Sequence, residues 1–166
     1  MSDSHGPRVF VTMPRLVAQG RAGGFRSPTA ARLRRVTLHV LGRAAPQVVG
    51  DVTVLVTDDH TMRGLNRRYR SKDATTDVLA FPLGDGLRRD EPWGDVVISY
   101  ETARRQARRY GATIAEEMSR LLIHGLLHLC GHDHHERAQA ARMHGLTRRL
   151  VREVQVGSTT SGNPRA

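Results

Sequence analysis

Five of the nine histidines in this 166-residue chain are clustered between positions 124 and 135, as His124, His128, His132, His134 and His135. His124 and His128 are four residues apart in a segment whose apolar pattern predicts a helix, so their imidazoles lie on one helix face. Two imidazoles at this spacing can bind the same metal ion, as they do in H-E-x-x-H zinc enzymes. The sequence therefore predicts a metal site with these two side chains as ligands.

The third ligand has to come from beyond the helix. His132 continues the four-residue series, but eight residues of helix rise about 12 Å, which bonds of about 2.0–2.1 Å to one zinc ion cannot bridge. Gly131 permits the chain to turn back, which leaves His134 or His135. The register H-x3-H-x2-G-x2-H is that of the zinc signature of metzincins, and it favours His134. Three histidine ligands leave a fourth position open for water, as in catalytic zinc sites.

Position 125 departs from the zinc-protease pattern. Zinc proteases have their general-base glutamate there, whereas this chain has Gly125. Without that carboxylate, peptide hydrolysis lacks its proton acceptor. Glu117 lies about two turns before His124, roughly in line with His124 and His128, and is a candidate for helix packing or for orienting a ligand. Asp133 either orients the third imidazole or is a plain turn residue. The sequence identifies no general base.

Hydrophobic periodicity and end signals predict the elements that position these residues. The predicted strands are 7–17, 51–57, 77–83 and 94–100, and the predicted helices are 28–42, 58–69, 101–110, 113–129 and 135–154. Asp58 is expected to cap one helix, and Thr113 with Glu116 forms an S/T-x-x-E capping box at another. We predict one α/β (α+β) domain over 1–156, with a small mixed four-stranded sheet, about five helices and the metal site on a central helix. Residues 157–166 are expected to be a disordered tail.

The charge balance favours an anionic partner. The chain has 26 Lys+Arg against 16 Asp+Glu, a net charge of +10, and Lys72 is its single lysine. Arginine binds phosphate in bidentate geometry, which favours nucleic acid, although a genomic preference for arginine explains the Arg-to-Lys ratio equally well. One predicted helix has arginines at i, i+4 spacing that form either a phosphate track or a solvated face: Arg104, Arg105, Arg108 and Arg109.

The same composition argues against several classes of protein. No apolar run approaches the ~20 residues needed to span a bilayer. Cys130 is the single cysteine, so no internal disulfide can form. We therefore expect a cytoplasmic protein that does not enter a membrane.

Four blocks of sequence, in this order, resemble the YbeY family of metal-dependent endoribonucleases, which act in the maturation of bacterial ribosomal RNA. The resemblance covers about residues 51–150. Two departures, His132 where the family commonly has Tyr and Ala80 where it commonly has Ser, remove no presumed ligand. The blocks are Leu65–Arg70, then Asp73 with Thr76–Pro82, then Gly94–Ser99, and the histidine segment Ile123–His134.

The resemblance implies one zinc ion (Zn2+) bound by His124, His128 and His134, and a functional arginine at Arg70. Arg70 ends a predicted basic helix, where its guanidinium can hold the scissile phosphate; the alternative is a solvated charge that interacts with the helix dipole. The implied activity is single-strand-directed cleavage of small-subunit ribosomal RNA precursors. The implied partners are that RNA and the small ribosomal subunit or its assembly factors. Attack by water and attack by the ribose 2′-hydroxyl both remain open.

Two other functions are compatible with parts of the pattern. A zinc hydrolase of the protease type fits the histidine register, although Gly125 argues against it. A ribosome-assembly factor that uses its metal only for folding fits the charge, but it does not explain three ligands with an open fourth position.

Overall fold

The computed structural model describes residues 6–13, 30–132 and 137–159, with side chains described as far as residue 156, and these ranges form one four-stranded sheet and five helices. The strands are β1 Val9–Thr12, β2 Asp51–Thr57, β3 Val78–Pro82 and β4 Pro92–Ser99. The helices are α1 Ala30–Ala44, α2 Asp59–Arg70, α3 Tyr100–Tyr110, α4 Ile114–Leu129 and α5 Arg137–Thr159.

The sheet is mixed, with strand order β1-β2-β4-β3. β1, β2 and β4 are parallel, and β3 runs antiparallel to β4 at one edge. Parallel neighbours need crossover connections, which α1 provides between β1 and β2. The predicted α/β fold class, with its small mixed sheet and about five helices, is confirmed.

The two faces of the sheet bury different helices. On one face Val54, Val96 and Ile98 pack with the apolar sides of α1, α4 and α5 in the larger core. On the other face Met62 of α2 packs on Leu79 and Val97 in a smaller core. α4 is buried along most of its length, which agrees with its prediction as the central helix.

Several helix ends are those predicted from local sequence. The Asp58 carboxylate accepts a hydrogen bond from the Thr61 backbone N–H at 2.7 Å. The capping box of Thr113 and Glu116 is complete in both directions. Gly111, with φ 65°, ends α3 in the left-handed conformation that glycine adopts without steric cost.

Other bounds differ from the predicted ones. α1 continues past Gly42 to Ala44, because it packs through Leu41 and stops only where Pro46 disfavours further helix. β1 is shorter than predicted, and residues 14–17 lie outside the described ranges. α5 runs through the first three positions of the predicted tail, whose remaining residues are not described.

The described helices include none that combines the length and the apolar character needed to cross a membrane.

The first turn of α2 joins three elements through one carboxylate. Asp59 accepts hydrogen bonds from the hydroxyls of Ser99, at the end of β4, and Thr102, in the first turn of α3. Its second oxygen forms an ion pair with Arg105 at 2.7 Å. The carboxylate therefore fixes the start of α2 against the β4–α3 junction.

Candidate metal centre

The two histidines predicted as ligands lie side by side on α4. Their Nε2 atoms are 3.2 Å apart, and the rings are 4.8 Å apart between centroids at an interplanar angle of 81°. Two nitrogen ligands at about 2.0–2.1 Å from one tetrahedral ion lie about 3.3–3.4 Å apart. The observed separation of His124 and His128 therefore fits two bonds to a single zinc ion.

The chain turns back where α4 ends. Gly131 has φ 85°, its N–H donates to the His128 carbonyl at 3.0 Å, and the His132 N–H donates to the Leu127 carbonyl at 3.0 Å. These two bonds form a Schellman motif, which requires a left-handed residue at the glycine position. The predicted turn at Gly131 is confirmed.

The third ligand is not tested by the structure. His134, together with Asp133 and His135, lies outside the described residues. Among the residues that are described, no three His, Cys, Asp or Glu side chains form a metal-binding group. The described part of the chain therefore contains two of the three predicted ligands, His124 and His128.

Gly125 lies where α4 crosses the sheet. A Cβ atom built on Gly125 would be 2.7 Å from Val96 Cγ1 and 3.1 Å from Val78 Cγ2, which are shorter than normal contacts. Any side chain here would point into the sheet, so a glutamate at this position would enter the core. The close packing of position 125 against Val96 and Val78 therefore explains why this chain has no glutamate there.

We expect Gly125→Ala to destabilise the protein, although alanine is the better helix former. The gain in helix propensity is about 1 kcal/mol, whereas forcing a methyl group into this core costs about 1–3 kcal/mol, so we expect a net loss of about 1 kcal/mol. Urea unfolding measures the difference. Gly145→Ala on α5 is the matched control, because nothing lies within 4 Å of its added Cβ, and it should be neutral or stabilising.

Glu117 has a structural partner on its own helix. Its side chain is 3% exposed, and both carboxylate oxygens accept hydrogen bonds from Arg120, at 2.6 and 3.0 Å. Of the two roles considered for Glu117, helix packing is the one that these contacts support. The sequence did not single out Arg120, although its position four residues before His124 can be read from it.

Arg70 lies on the other side of the sheet from the histidines. It is the exposed last residue of α2, and its neighbour Tyr69 packs on Phe81 of β3 with ring centroids 5.1 Å apart. α4 packs on the opposite face of β3 through Gly125. Within the described part of the chain, the structure shows no contact between Arg70 and the histidine pair. Both α2 and α4 pack on the edge strand β3, from opposite faces of the sheet.

The arginines of α3 do not form one free cationic face. Arg105 is paired with Asp59, an acid distant in sequence, and its guanidinium also donates to Thr102 at 2.8 Å. Arg104 is half-buried, whereas Arg108 and Arg109 are exposed. Of the two interpretations offered for this helix, a phosphate track can rest on at most the last two arginines.

Comparison with known proteins identifies similar sequences and a similar fold. Residues 26–155 match the family model described as endoribonuclease YbeY. A protein of that name from Myxococcus xanthus is 44% identical over 153 residues, covering 89% of this chain and 50% of its own length. The Aquifex aeolicus protein is 50% identical over 84 residues, covering 51% of this chain and 56% of its own. The chain therefore spans about half the length of these two relatives.

Other comparisons cover most of both chains. The endoribonuclease YbeY of Heliobacterium modesticaldum is 35% identical over 153 residues, covering 82% of this chain and 92% of its own length. The solution structure of TM1509 from Thermotoga maritima superposes with a TM-score of 0.58 at 22% identity, covering 96% of this chain and 98% of that one. The second likeness concerns the fold alone.

Proposed function

Because this chain belongs to the endoribonuclease YbeY family, we propose that it is a zinc-dependent endoribonuclease that cleaves single-stranded segments of small-subunit ribosomal RNA precursors. The observation that carries the proposal is the pair of Nε2 atoms 3.2 Å apart on α4. His124 and His128 are two ligands of the ion, and His134 is the third. The proposed partners are the RNA precursor and the small ribosomal subunit or its assembly factors, in the cytoplasm.

The proposed role of the histidines is to bind the metal ion and to hold it in place. When bound, a zinc ion with three imidazole ligands lowers the pKa of a water molecule or polarises a phosphate oxygen. α4 places the two imidazoles one turn apart on one face. The ends of this helix are fixed by the Thr113–Glu116 capping box and by the Gly131 turn. The close packing of Gly125 on Val96 fixes the distance between this helix and the sheet.

Arg70 is proposed to hold the scissile phosphate and to stabilise the negative charge that develops on it. The backbone around it is fixed, because Arg63 forms a bidentate ion pair with Asp73, at 2.7 and 2.9 Å, and Asn66 donates to the Ala74 carbonyl at 2.8 Å. The Arg70 side chain is exposed, with no hydrogen bond or ion pair to another described residue. Its guanidinium is therefore available to a substrate that passes around the β3 edge.

The protease alternative is not favoured. Its general base belongs at position 125, and that position faces Val96 and Val78 in the core. None of the described contacts places another carboxylate beside the histidine pair. RNA cleavage is the activity that we propose.

We expect Arg70→Ala to lower kcat for RNA cleavage on the order of 10²-fold while zinc content stays unchanged, because one donor to a developing charge has about this effect. Zinc-loaded proteins are assayed on structured ribosomal RNA and, in parallel, on casein. Arg88→Ala removes the same charge from an exposed loop residue and should change kcat less than twofold.

The two substrates separate the possible functions. RNA cleavage without proteolysis supports the proposal, and casein hydrolysis supports a protease instead. A zinc-loaded protein that binds ribosomal subunits but cleaves neither substrate would contradict the enzymatic proposal.

A further inference from the structure

A groove lies between α4 and α5, and its α4 lining residue Arg120 comes one turn before His124. Its volume is about 610 Å³, and at one end it continues into a second cavity of about 580 Å³ that shares two of its residues. We call the first cavity the α4–α5 groove. It is lined by Arg120, His144, Thr147, Arg148, Val151 and Arg152.

The α4–α5 groove runs toward the candidate metal centre. Gln155 donates to Glu116 at 3.4 Å, whereas Arg120 shares the groove with Thr147 and Val151. Higher residue numbers on α4 thus face lower ones on α5, so the two helices are antiparallel. One turn beyond Arg120 on α4 is His124, and the corresponding turn of α5 carries His144.

The groove is cationic. Arg148 and Arg152 are four residues apart, so they lie about 6 Å apart along one face of α5. Both are exposed, and neither has an ion pair with a described residue. No acidic side chain belongs to the described lining of this groove.

Arg120 is the fixed member of this set. Its guanidinium donates two hydrogen bonds to the buried Glu117 carboxylate, which raise the pKa of Arg120, while 39% of its side chain remains exposed. A guanidinium has five N–H donors, so two bonds to Glu117 leave donors for a second anion. The buried carboxylate therefore positions Arg120 one turn from the first metal ligand.

We propose that the α4–α5 groove binds the phosphate backbone of the RNA strand that enters or leaves the metal centre. Arg120 contacts the phosphate nearest the histidines, and Arg148 and Arg152 contact the phosphates beyond it. The binding is largely independent of base sequence, because the described lining contains no Phe, Tyr or Trp on which bases could stack. This inference rests on the proposed endoribonuclease function and assigns the path of its substrate.

The test compares two charge-matched double variants of the zinc-loaded full chain. Arg148→Ala/Arg152→Ala removes two charges from the groove. Arg142→Ala/Arg149→Ala removes two exposed charges from another side of α5, where Arg149 pairs with Glu153 at 3.7 Å. Binding of a fluorescent single-stranded oligodeoxynucleotide, which keeps the phosphates, is measured between about 50 and 200 mM salt, together with KM and kcat for RNA.

The groove variant should bind the oligonucleotide about 10-fold more weakly and raise KM with little change in kcat. The slope of log K against log salt should fall by about 1.4, since each single-strand phosphate contact contributes about 0.7. The control variant should keep the wild-type slope.

Equal slopes and equal KM values in the two double variants would overturn the groove proposal, and they are also the outcome expected if this surface binds a protein. Failure of the proposed function looks different: wild-type protein would cleave no RNA, while the two variants could still differ in oligonucleotide binding. Circular dichroism confirms that both variants keep the fold, as expected for exposed positions.

Discussion

Replacing His128 by alanine should leave the purified protein without stoichiometric zinc and should lower RNA cleavage by at least about 100-fold. The reason is geometric. The Nε2 atoms of His124 and His128 are 3.2 Å apart, the separation of two ligands on one ion, so neither imidazole has a substitute among the described side chains. His124→Ala should have the same effect, because the two ligands act as one unit.

The matched control is His60→Ala, which makes the same change at an exposed position on α2, on the other face of the sheet. Zinc is measured by elemental analysis of freshly purified protein, and cleavage is measured on structured ribosomal RNA. A His128→Ala protein that keeps one zinc per chain would contradict the metal site. Equal cleavage by zinc-loaded wild type and a zinc-free variant would instead assign the activity to a contaminating nuclease.

Asp59→Asn should destabilise the protein by about 2 kcal/mol at pH 7. Burial raises the pKa of the Asp59 carboxyl and is the largest single influence on it. Hydrogen bonds from Ser99, Thr102 and Arg105 together outweigh that influence and lower the pKa to about 2. Each unit of difference from the unfolded value of 3.8 corresponds to about 1.4 kcal/mol, and the Asp59 side chain is only 24% exposed.

The sign of the pH dependence follows from the lowered pKa. The contribution of Asp59 is complete above its unfolded pKa of 3.8 and is lost as the pH falls through about 2. The wild type should therefore lose its advantage over Asp59→Asn between about pH 5 and pH 2 in urea unfolding. Asp90→Asn is the control, since that carboxylate is exposed and pairs with Arg8 on the surface. An advantage over Asp59→Asn that persists at pH 2 would contradict the assignment.

Much of the local structure could be predicted because its causes lie within a few residues. The Asp58 cap bonds a backbone N–H three positions away, and the Thr113–Glu116 box closes over the same interval. The Gly131 turn depends on one residue that tolerates a positive φ. Such signals can be recognised in the sequence without knowledge of the fold.

Some charged residues have partners that could not be predicted, because those partners are distant in sequence. Arg105 belongs to a row of arginines on α3, yet its partner Asp59 begins another helix. The absence of a glutamate at position 125 is visible in the sequence, but its packing cause is the contact of Gly125 with Val96 and Val78. Both facts depend on which elements become neighbours.

The sequence by itself determined the histidine pair, since the period of the helix places His124 and His128 side by side wherever that helix lies. Only the tertiary structure decided what surrounds the pair. It put Arg70 beyond the edge strand, and it aligned Arg120 with the arginines of α5 in one groove. Helix periodicity is a property of the local backbone. A surface between two helices, in contrast, depends on which of their faces are buried when the core packs.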